Sequence, residues 1–337
     1  MSDMRWGIVA TVDEPTPLVL AFTAYHLGLG ASEVHLYFDR PNPEARAILE
    51  GLEGVLITEC DHAYWARENG GVRAHRTTLR QCVNANHAYE RAEVDWLMHC
   101  DADEFLHDIE GGIADRLARV AQGCRVVRVL PRERVYLGAP DDALFGGAFR
   151  GWAPGYDKWS DDVYGRFAKF LYQGLSGHFV GKSFVRTGQD DLVMNIHFGF
   201  LRGTQDVPTP EVLDHGLLHF DGMTPLHFKL KLLRRTLLSY YFTKDNPDGQ
   251  TRDKQVRFAR NNLQNAERLQ ELVTSIMVLD PKQEAFLEGR GLLHRTSFDP
   301  TVMMAKVPIQ IDMTASGFDA ATRVWAKDLM DELEVSL

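Results

Sequence analysis

Short apolar runs alternate with helical patterns over the first hundred residues of this 337-residue chain. The apolar runs predict four strands, at residues 6–12, 33–38, 55–60 and 95–100. Helices are predicted between them, beginning at Thr16-Pro17 and at Pro43, and a longer one over residues 72–91. This alternation predicts an α/β fold with a mostly parallel sheet flanked by helices, in which ligands bind at the carboxyl ends of the strands.

The pattern changes in the second half of the chain. Residues 146–177 are rich in Gly, Trp and Tyr and have no clear periodicity, which is typical of functional loops or lids. From Pro225 onward, apolar residues recur at a spacing close to that of a helix. We therefore expect a ligand-binding domain over residues 1–224 and a C-terminal helical region over residues 225–337.

The composition is that of a soluble globular protein, with 45% hydrophobic and 25% charged residues. Its four cysteines form no Cys-x-x-Cys pair, which favours reduced thiols and a cytoplasmic location over a disulfide framework or a zinc site. No apolar stretch reaches the roughly 18 residues that a membrane span needs. The sequence predicts no transmembrane segment and leaves peripheral membrane association open.

The charge is acidic overall, at −10, which argues against a nucleic-acid partner because such partners need a basic surface. Between Arg125 and Arg186, however, ten Lys or Arg stand against six Asp or Glu. A basic segment inside an acidic chain suits an anionic ligand, although a solvated surface is the commoner cause of such a cluster.

The most informative motif is an apolar run that ends on two aspartates, Asp101 and Asp103, with Glu104 beside them. At the carboxyl end of a buried strand, these carboxylates would hold one divalent cation, and a substrate diphosphate would complete its shell. An Asp-x-Asp triplet also arises by chance in a chain with 47 acidic residues. Its position directly after an apolar strand favours the functional interpretation.

Further stretches match the landmarks of one enzyme family. They are Thr11-Val12-Asp13-Glu14, Tyr25-His26-Leu27-Gly28-Leu29-Gly30, Tyr37-Phe38-Asp39, Asp95-Trp96, Asp101-Ala102-Asp103-Glu104-Phe105-Leu106, Gly181-Lys182-Ser183-Phe184-Val185-Arg186, Asn195-Ile196-His197-Phe198 and Leu218-His219-Phe220. With them, residues 5–240 resemble GT-A glycosyltransferases of family 2, in particular a bacterial branch similar to the family 92 enzymes. The resemblance implies a Rossmann-like GT-A fold, to which the C-terminal helices would be an extension.

The resemblance also implies a reaction. A sugar would pass from a nucleoside-diphosphate donor, a UDP-sugar on family grounds, to a carbohydrate acceptor, as in polysaccharide biosynthesis. Mn²⁺ or Mg²⁺ would bridge Asp103 and the diphosphate and stabilise the leaving group, and Asp101 would lie near the ribose or a metal-bound water.

In many such enzymes a late histidine joins the metal shell, which makes His219 and His197 candidate ligands here. His219 is preferred, because the segment from His219 to Gly222 is similar to the family's His-aromatic-x-Gly turn. His197 is a candidate for the acceptor side instead. A core histidine bonded to a backbone carbonyl explains either position equally well.

The ends of the first two strands are expected to bind the nucleotide, through Thr11 and Asp13 after the first and Asp39 after the second. Arg80, on the helix before the acidic motif, and Lys182 are further candidates for contacts with base or phosphate. Simpler explanations are a turn residue for Asp39, an exposed helical arginine for Arg80 and a charged strand edge for Lys182.

An inverting transferase also needs a carboxylate base to deprotonate the acceptor. By distance along the chain, Asp190 and Asp191 fit this role best, although acids in the turn after Gly188 are the plainer explanation. The Glu-Asp motif of many relatives is absent, which leaves both the base and the stereochemical outcome open.

Two other functions remain open. A nucleotide-sugar-binding protein without turnover would keep the same binding residues and lack the base. A metal-dependent phosphohydrolase of the haloacid dehalogenase type also uses Asp-x-Asp, but it expects Thr or Val where this chain has Phe105. Metal-dependent hydrolysis of a nucleotide sugar would separate an enzyme from a binding protein.

Overall fold

The computed structural model describes residues 3–107, 112–204, 206, 208, 210–238 and 251–335. Over these residues the chain forms two compact units that interleave along the sequence. The first unit comprises Met1–Leu130, Val180–Leu217 and Pro300–Ile311, and the second comprises Pro131–Phe179, Leu218–Asp299 and Asp312–Leu337. A domain boundary between residues 224 and 225 stays a prediction.

In chain order, the elements of the first half are β1 (Trp6–Val12), α1 (Thr16–Leu29), β2 (Glu33–Phe38), α2 (Pro43–Leu49), β3 (Val55–Glu59), α3 (His62–Glu68), α4 (Thr77–Tyr89), β4 (Trp96–His99), β5 (Glu104–Leu106), α5 (Ile113–Ala118), β6 (Val126–Leu137), β7 (Ala148–Arg150) and α6 (Ser160–Tyr164). Two 3₁₀ helices flank α6, at Tyr156–Lys158 and Gly165–Phe170.

The elements that follow are β8 (Lys182–Arg186), β9 (Leu192–Met194), β10 (Gly199–Leu201), β11 (Glu211–His219), α7 (Pro225–Thr236), α8 (Thr251–Asn261), α9 (Ala266–Met277), β12 (Val278–Leu279), α10 (Pro281–Glu288), β13 (Leu293–His294), α11 (Thr301–Met304), α12 (Ala315–Trp325) and α13 (Lys327–Leu333). None of these helices combines the length and the apolar character that crossing a bilayer requires.

The sheet of the first unit confirms the predicted fold class. Its strands lie in the order β3-β2-β1-β4-β8, followed by the first half of β6. The first four are mutually parallel, whereas β8 runs antiparallel to both β4 and β6. The order β3-β2-β1-β4 is that of a doubly wound sheet, whose ligands bind at the carboxyl edge.

Helix α1 shows how local sequence builds this unit. It has proline in its first turn and ends at Gly30, whose φ of 110° places it in the left-handed region. Gly28 packs against the backbone of α11, since a Cβ at this position would lie 1.9 Å from the carbonyl oxygen of Met303. In the segment Tyr25–Gly30, Gly30 therefore ends the helix and Gly28 allows close packing.

The helix predicted over residues 72–91 is shorter in the structure. It spans Thr77–Tyr89, and the loop before it includes Gly70 and Gly71, whose φ values are positive, at 61° and 88°. Sequence reasoning also missed α3, which is capped by the Asp61 side chain accepting from the backbone N–H of Tyr64.

The second unit contains β7, β12, β13, the second half of β6 and most of the C-terminal helices. The second half of β6 pairs with β7 and β12, and β7 pairs with β13. An apolar core joins α7, α8, α9 and α10, and it includes Tyr156 and Tyr164 from the Gly-, Trp- and Tyr-rich residues 146–177. These two aromatic side chains therefore stabilise the unit through packing.

His26 on α1 is completely buried and neutral. Its Nδ1 lies 2.9 Å from the carbonyl oxygen of Phe22, and the backbone N–H of Leu106 donates to its Nε2 at 3.4 Å. Burial lowers the pKa of His26 from 6.5 to about 3. Because the unfolded chain takes up a proton first, this histidine makes the fold lose stability as the pH falls from about 6.5 toward 3.

We expect His26→Gln to flatten the acid side of the stability profile. Between pH 6 and pH 4, the slope of the unfolding free energy against pH should fall by about 1.4 kcal/mol per pH unit, the contribution of one proton. Urea unfolding at several pH values measures this slope. The exposed His62→Gln is the control, and equal slopes in the His26 variant and the wild type would contradict the expectation.

Candidate functional site

The carboxyl ends of β1, β2 and β4 meet at one edge of the first unit's sheet. Asp39 follows β2, and its backbone N–H donates to the carbonyl oxygen of Val12 at the end of β1. Cys100 follows β4, and its N–H donates to Val9. Because the three strands are parallel neighbours, their end residues form a continuous rim, as the sequence predicted.

Asp39 is the centre of a buried ion cluster at this rim. Only 2% of its side chain is exposed, and its Oδ2 accepts from Arg73 at 2.8 Å and from Arg80 at 2.8 and 3.0 Å. The other carboxylate oxygen, Oδ1, is buried without a hydrogen-bond partner among the residues that the structure describes. An unpaired buried oxygen of this kind favours a ligand that donates one hydrogen bond.

Arg80 is buried, unlike an ordinary exposed helical arginine. Its Nη1 also donates to the carbonyl oxygens of Ala74 and His75, which ties the loop before α4 to the Asp39 cluster. Arg73, on the same loop, keeps 46% of its side chain exposed. Sequence reasoning did not identify Arg73, since the helix predicted over residues 72–91 extended over this loop.

Thr11 belongs to a second hydrogen-bonded group on the same face of the sheet as Asp39. The side-chain amide of Asn84, which is fully buried on α4, donates to the Thr11 hydroxyl oxygen at 2.8 Å. The Asn84 carbonyl oxygen in turn accepts from the hydroxyl of Tyr64 at 2.6 Å. Since the Thr11 oxygen already accepts a hydrogen bond, its proton is available to donate to a ligand.

Residues 100–104 form a tight turn directly after β4. The N–H of Glu104 donates to the carbonyl oxygen of Asp101 at 3.0 Å, and the Glu104 carboxylate accepts from the N–H of Asp101 at 2.8 Å. Glu104 and Asp103 are buried, whereas 33% of the Asp101 side chain is exposed. We call Asp101, Asp103 and Glu104 the acidic turn.

Two side chains hold Asp101 from opposite sides. Gln81 on α4 donates to its Oδ1 at 2.6 Å, and the Lys182 ammonium lies 2.7 Å from its Oδ2 and 3.4 Å from Glu104. Lys182 is fully buried. Burial alone would lower the pKa of Lys182, but Asp101 and Glu104 outweigh it and raise the pKa above its ordinary value.

His99, the last residue of β4, lies just before the acidic turn in the chain and is fully buried. Its Nδ1 is 3.3 Å from the Lys182 ammonium. Burial, together with the nearby ammonium, lowers the pKa of His99 to about 4, so this ring is neutral at pH 7. The acidic turn therefore has three carboxyl groups and one ammonium in contact with it.

The chemistry of the acidic turn fits a divalent cation. Ligand oxygens of Asp101 and Glu104 lie within 4.8 Å of each other. Carboxylate oxygens are the ligands that Mg²⁺ and Mn²⁺ prefer. These donors agree with the predicted Mn²⁺ or Mg²⁺, and the assignment of Asp101 and Asp103 as its ligands stays a prediction.

Two other predicted residues of the first unit, Asp13 and His197, have partners outside the acidic turn. Asp13 is ion-paired with Arg40 at 2.5 Å. His197 lies in the turn between β9 and β10, where its Nδ1 is 2.9 Å from the carbonyl oxygen of Gly181. The role of Asp13 at the nucleotide and that of His197 at the metal or acceptor stay predictions.

The two proposed base residues lie at the far end of β4. Strand β8 is antiparallel to β4 and pairs Arg186 with Trp96, the first residue of that strand. Asp191 follows β8 and forms an ion pair with Arg125 that lowers the pKa of its carboxyl, while the carbonyl oxygen of Asp190 accepts from Arg202. The structure does not bring Asp190 and Asp191 to the acidic turn, so the geometry gives their catalytic role no support.

His219, the other predicted metal ligand, lies in the second unit at the end of β11. It is buried, and one of its ring nitrogens lies within 4.8 Å of a carboxylate oxygen of Asp221. The Asp221 carboxylate accepts from Ser176 at 2.7 Å and Arg252 at 2.6 Å. Burial would raise the pKa of Asp221, but Arg252 and His219 lower it below its usual range. Metal binding by His219 stays a prediction.

The chain matches no protein-family model, and no curated protein matches it. Similar solved structures include a mannose-1-phosphate geranyltransferase from Thermus thermophilus, with 14% identity and a TM-score of 0.26 over 82% of this chain and 69% of that one. The glycosyltransferase GlyE of Streptococcus pneumoniae has 11% identity and a TM-score of 0.27 over 98% and 64%. A galactosyltransferase, LgtC, in complex with donor and acceptor sugar analogs, has 10% identity and a TM-score of 0.24 over 98% and 97%.

Proposed function

We propose that this chain is a glycosyltransferase that takes a sugar from a nucleoside-diphosphate donor with the help of a divalent cation. One observation carries the proposal: the first unit places a base-sized polar cluster, Asp39 with Thr11, and the acidic turn on the same rim of one parallel sheet. Asp39 follows β2 and the acidic turn follows β4, and these strands flank β1, so Asp39 and the turn lie about 10 Å apart, two interstrand spacings. A nucleotide that lies along the rim spans this distance from its base to its diphosphate.

The acidic turn is suited to the leaving group. Breaking the bond between sugar and phosphate leaves negative charge on the nucleoside diphosphate, and a bound Mn²⁺ or Mg²⁺ supplies a Lewis acid that stabilises this charge. Asp103 would hold the cation directly, and Asp101 would lie near a metal-bound water. The residues of the turn are fixed by Gln81, Lys182 and their own hydrogen bonds, so they are already oriented before substrate arrives.

The cluster around Asp39 favours uracil as the base. The ring edge of uracil offers an N–H between two carbonyl oxygens. Asp39 Oδ1 is a single acceptor for that N–H, and the Thr11 hydroxyl and the half-exposed Arg73 are donors suited to the carbonyls. Guanine would use both carboxylate oxygens for its two adjacent N–H groups, but Arg73 and Arg80 already occupy Oδ2. A UDP-sugar is therefore the proposed donor.

A carbohydrate acceptor and a role in polysaccharide biosynthesis complete the proposal, and both rest on the sequence resemblance. A nucleotide-sugar-binding protein without turnover is the second candidate. The position of Asp190 and Asp191 at the far end of β4 favours it, because no base for the acceptor is then assigned.

Titration calorimetry tests the proposal. We expect UDP to bind at least ten times more tightly with Mn²⁺ than with EDTA, and GDP to bind more weakly than UDP under both conditions. Absence of UDP binding would contradict the proposal as a whole. Slow hydrolysis of UDP-sugars in the presence of Mn²⁺ would indicate an enzyme, whereas binding without hydrolysis or transfer would favour the second candidate.

A further inference from the structure

Lys182 is a buried cation whose charged contacts are with the acidic turn. Its side chain is fully buried, and its ammonium lies 2.7 Å from Asp101 Oδ2 and 3.4 Å from Glu104 Oε2. Burying a lysine is costly unless carboxylates pair with it, and removing one partner leaves an uncompensated charge. Two of the three acids of the turn are therefore engaged by one ammonium.

The backbone before Lys182 positions this side chain at the acidic turn. Gly181 has a φ of 81°, and a Cβ at this position would lie 2.1 Å from the carbonyl oxygen of Val129 on β6. Any other residue would be strained and would collide with the neighbouring strand. Lys182 then opens β8, paired with Val129, beside the carboxyl end of β4.

A direct phosphate contact, the role that the sequence suggested for Lys182, fits this geometry poorly. The ammonium already contacts two carboxylates and the ring nitrogen of His99, so its three N–H donors are used and none remains for a ligand. An effect on the metal through Asp101 and Glu104 needs no further donor.

We infer that Lys182 is an internal counter-cation of the acidic turn, a positioning residue that holds Asp101 and Glu104 and keeps them from binding the metal directly. The inference rests on the proposed function, in which the turn binds Mn²⁺. An ammonium within hydrogen-bond distance of both carboxylates repels a divalent ion that approaches them, and burial strengthens this repulsion. The turn then binds the metal weakly until a diphosphate supplies further oxygens, so the cation arrives together with the nucleotide.

Lys182→Met tests the inference, because methionine preserves the length of the side chain and removes its charge. With Mn²⁺ alone as the probe and the electron paramagnetic resonance of free Mn²⁺ as the readout, we expect the variant to bind the ion at least tenfold more tightly than the wild type. Lys182→Arg, which retains the charge, should keep the wild-type affinity. If Lys182 had only a structural role, its removal would not increase the affinity for Mn²⁺. Unchanged or weaker Mn²⁺ binding by a folded Lys182→Met would therefore overturn the inference.

Asp101→Asn decides the matter if Lys182→Met fails to fold. We expect this variant to change the affinity for Mn²⁺ less than threefold, because Asp101 is held by Lys182 and Gln81. A loss of affinity of more than tenfold would make Asp101 a direct ligand and overturn the inference. Ser183→Ala, on the same strand, is the matched control. Tighter Mn²⁺ binding by Lys182→Met in a chain that does not bind UDP would support the inference and contradict the proposed function, so the two failures are distinguishable.

Discussion

Replacing Asp103 with alanine is expected to abolish the Mn²⁺ dependence of UDP binding and to reduce sugar transfer about a thousandfold. A metal that stabilises the leaving diphosphate contributes several kcal/mol to the transition state, which corresponds to about that factor in rate. Asp103 is 3% exposed and lies in a turn held by backbone hydrogen bonds, so its loss removes a charge from a fixed position.

Calorimetry with UDP, in Mn²⁺ and in EDTA, measures the first effect, and release of UDP from a UDP-sugar measures the second. Glu93→Ala removes an exposed carboxylate from the same unit and should leave both unchanged. Wild-type affinity for UDP in Mn²⁺ by Asp103→Ala would count decisively against the metal-assisted reaction.

The rim of the sheet could be predicted from the sequence because it depends on local patterns. Apolar runs mark strands β1, β2 and β4, and parallel strands bring their carboxyl ends to one edge. Thr11, Asp39 and Asp101 were therefore expected at this edge, and the structure places them there. The alternation of side chains along a strand determines which face of the sheet each residue lies on, even when the neighbouring strands are unknown.

The partners of these residues could not be predicted in the same way. Lys182 is 81 positions from Asp101 in the sequence, and only the antiparallel pairing of β8 with β4 brings them together. The same pairing places Asp190 and Asp191 at the opposite end of β4. Distance along the chain, on which their predicted role rested, contains no information about strand direction. Polar residues on the inner face of α4, such as Gln81 and Asn84, were the missed signal.

Asp39→Asn is expected to shift base preference from UDP toward CDP by ten- to a hundredfold. The asparagine carbonyl would turn toward Arg73 and Arg80, because both are donors, and its amide N–H would then point to the ligand. A donor at this position opposes the N–H of uracil and suits the unprotonated ring nitrogen of cytosine. A hydrogen bond to a charged group contributes about 1.5–3 kcal/mol, which gives the expected factor.

Dissociation constants for UDP and CDP, measured with Mn²⁺ present, give the ratio that defines this preference. Asp61→Asn is the matched control, since asparagine caps α3 as well as aspartate does and the site is exposed. Because the base cluster and the acidic turn lie on different strands, Asp39→Asn should leave the Mn²⁺ dependence of binding intact, whereas Asp103→Ala should leave the ratio of UDP to CDP intact. A variant that altered both properties together would mean that the two clusters do not bind separate ends of one nucleotide.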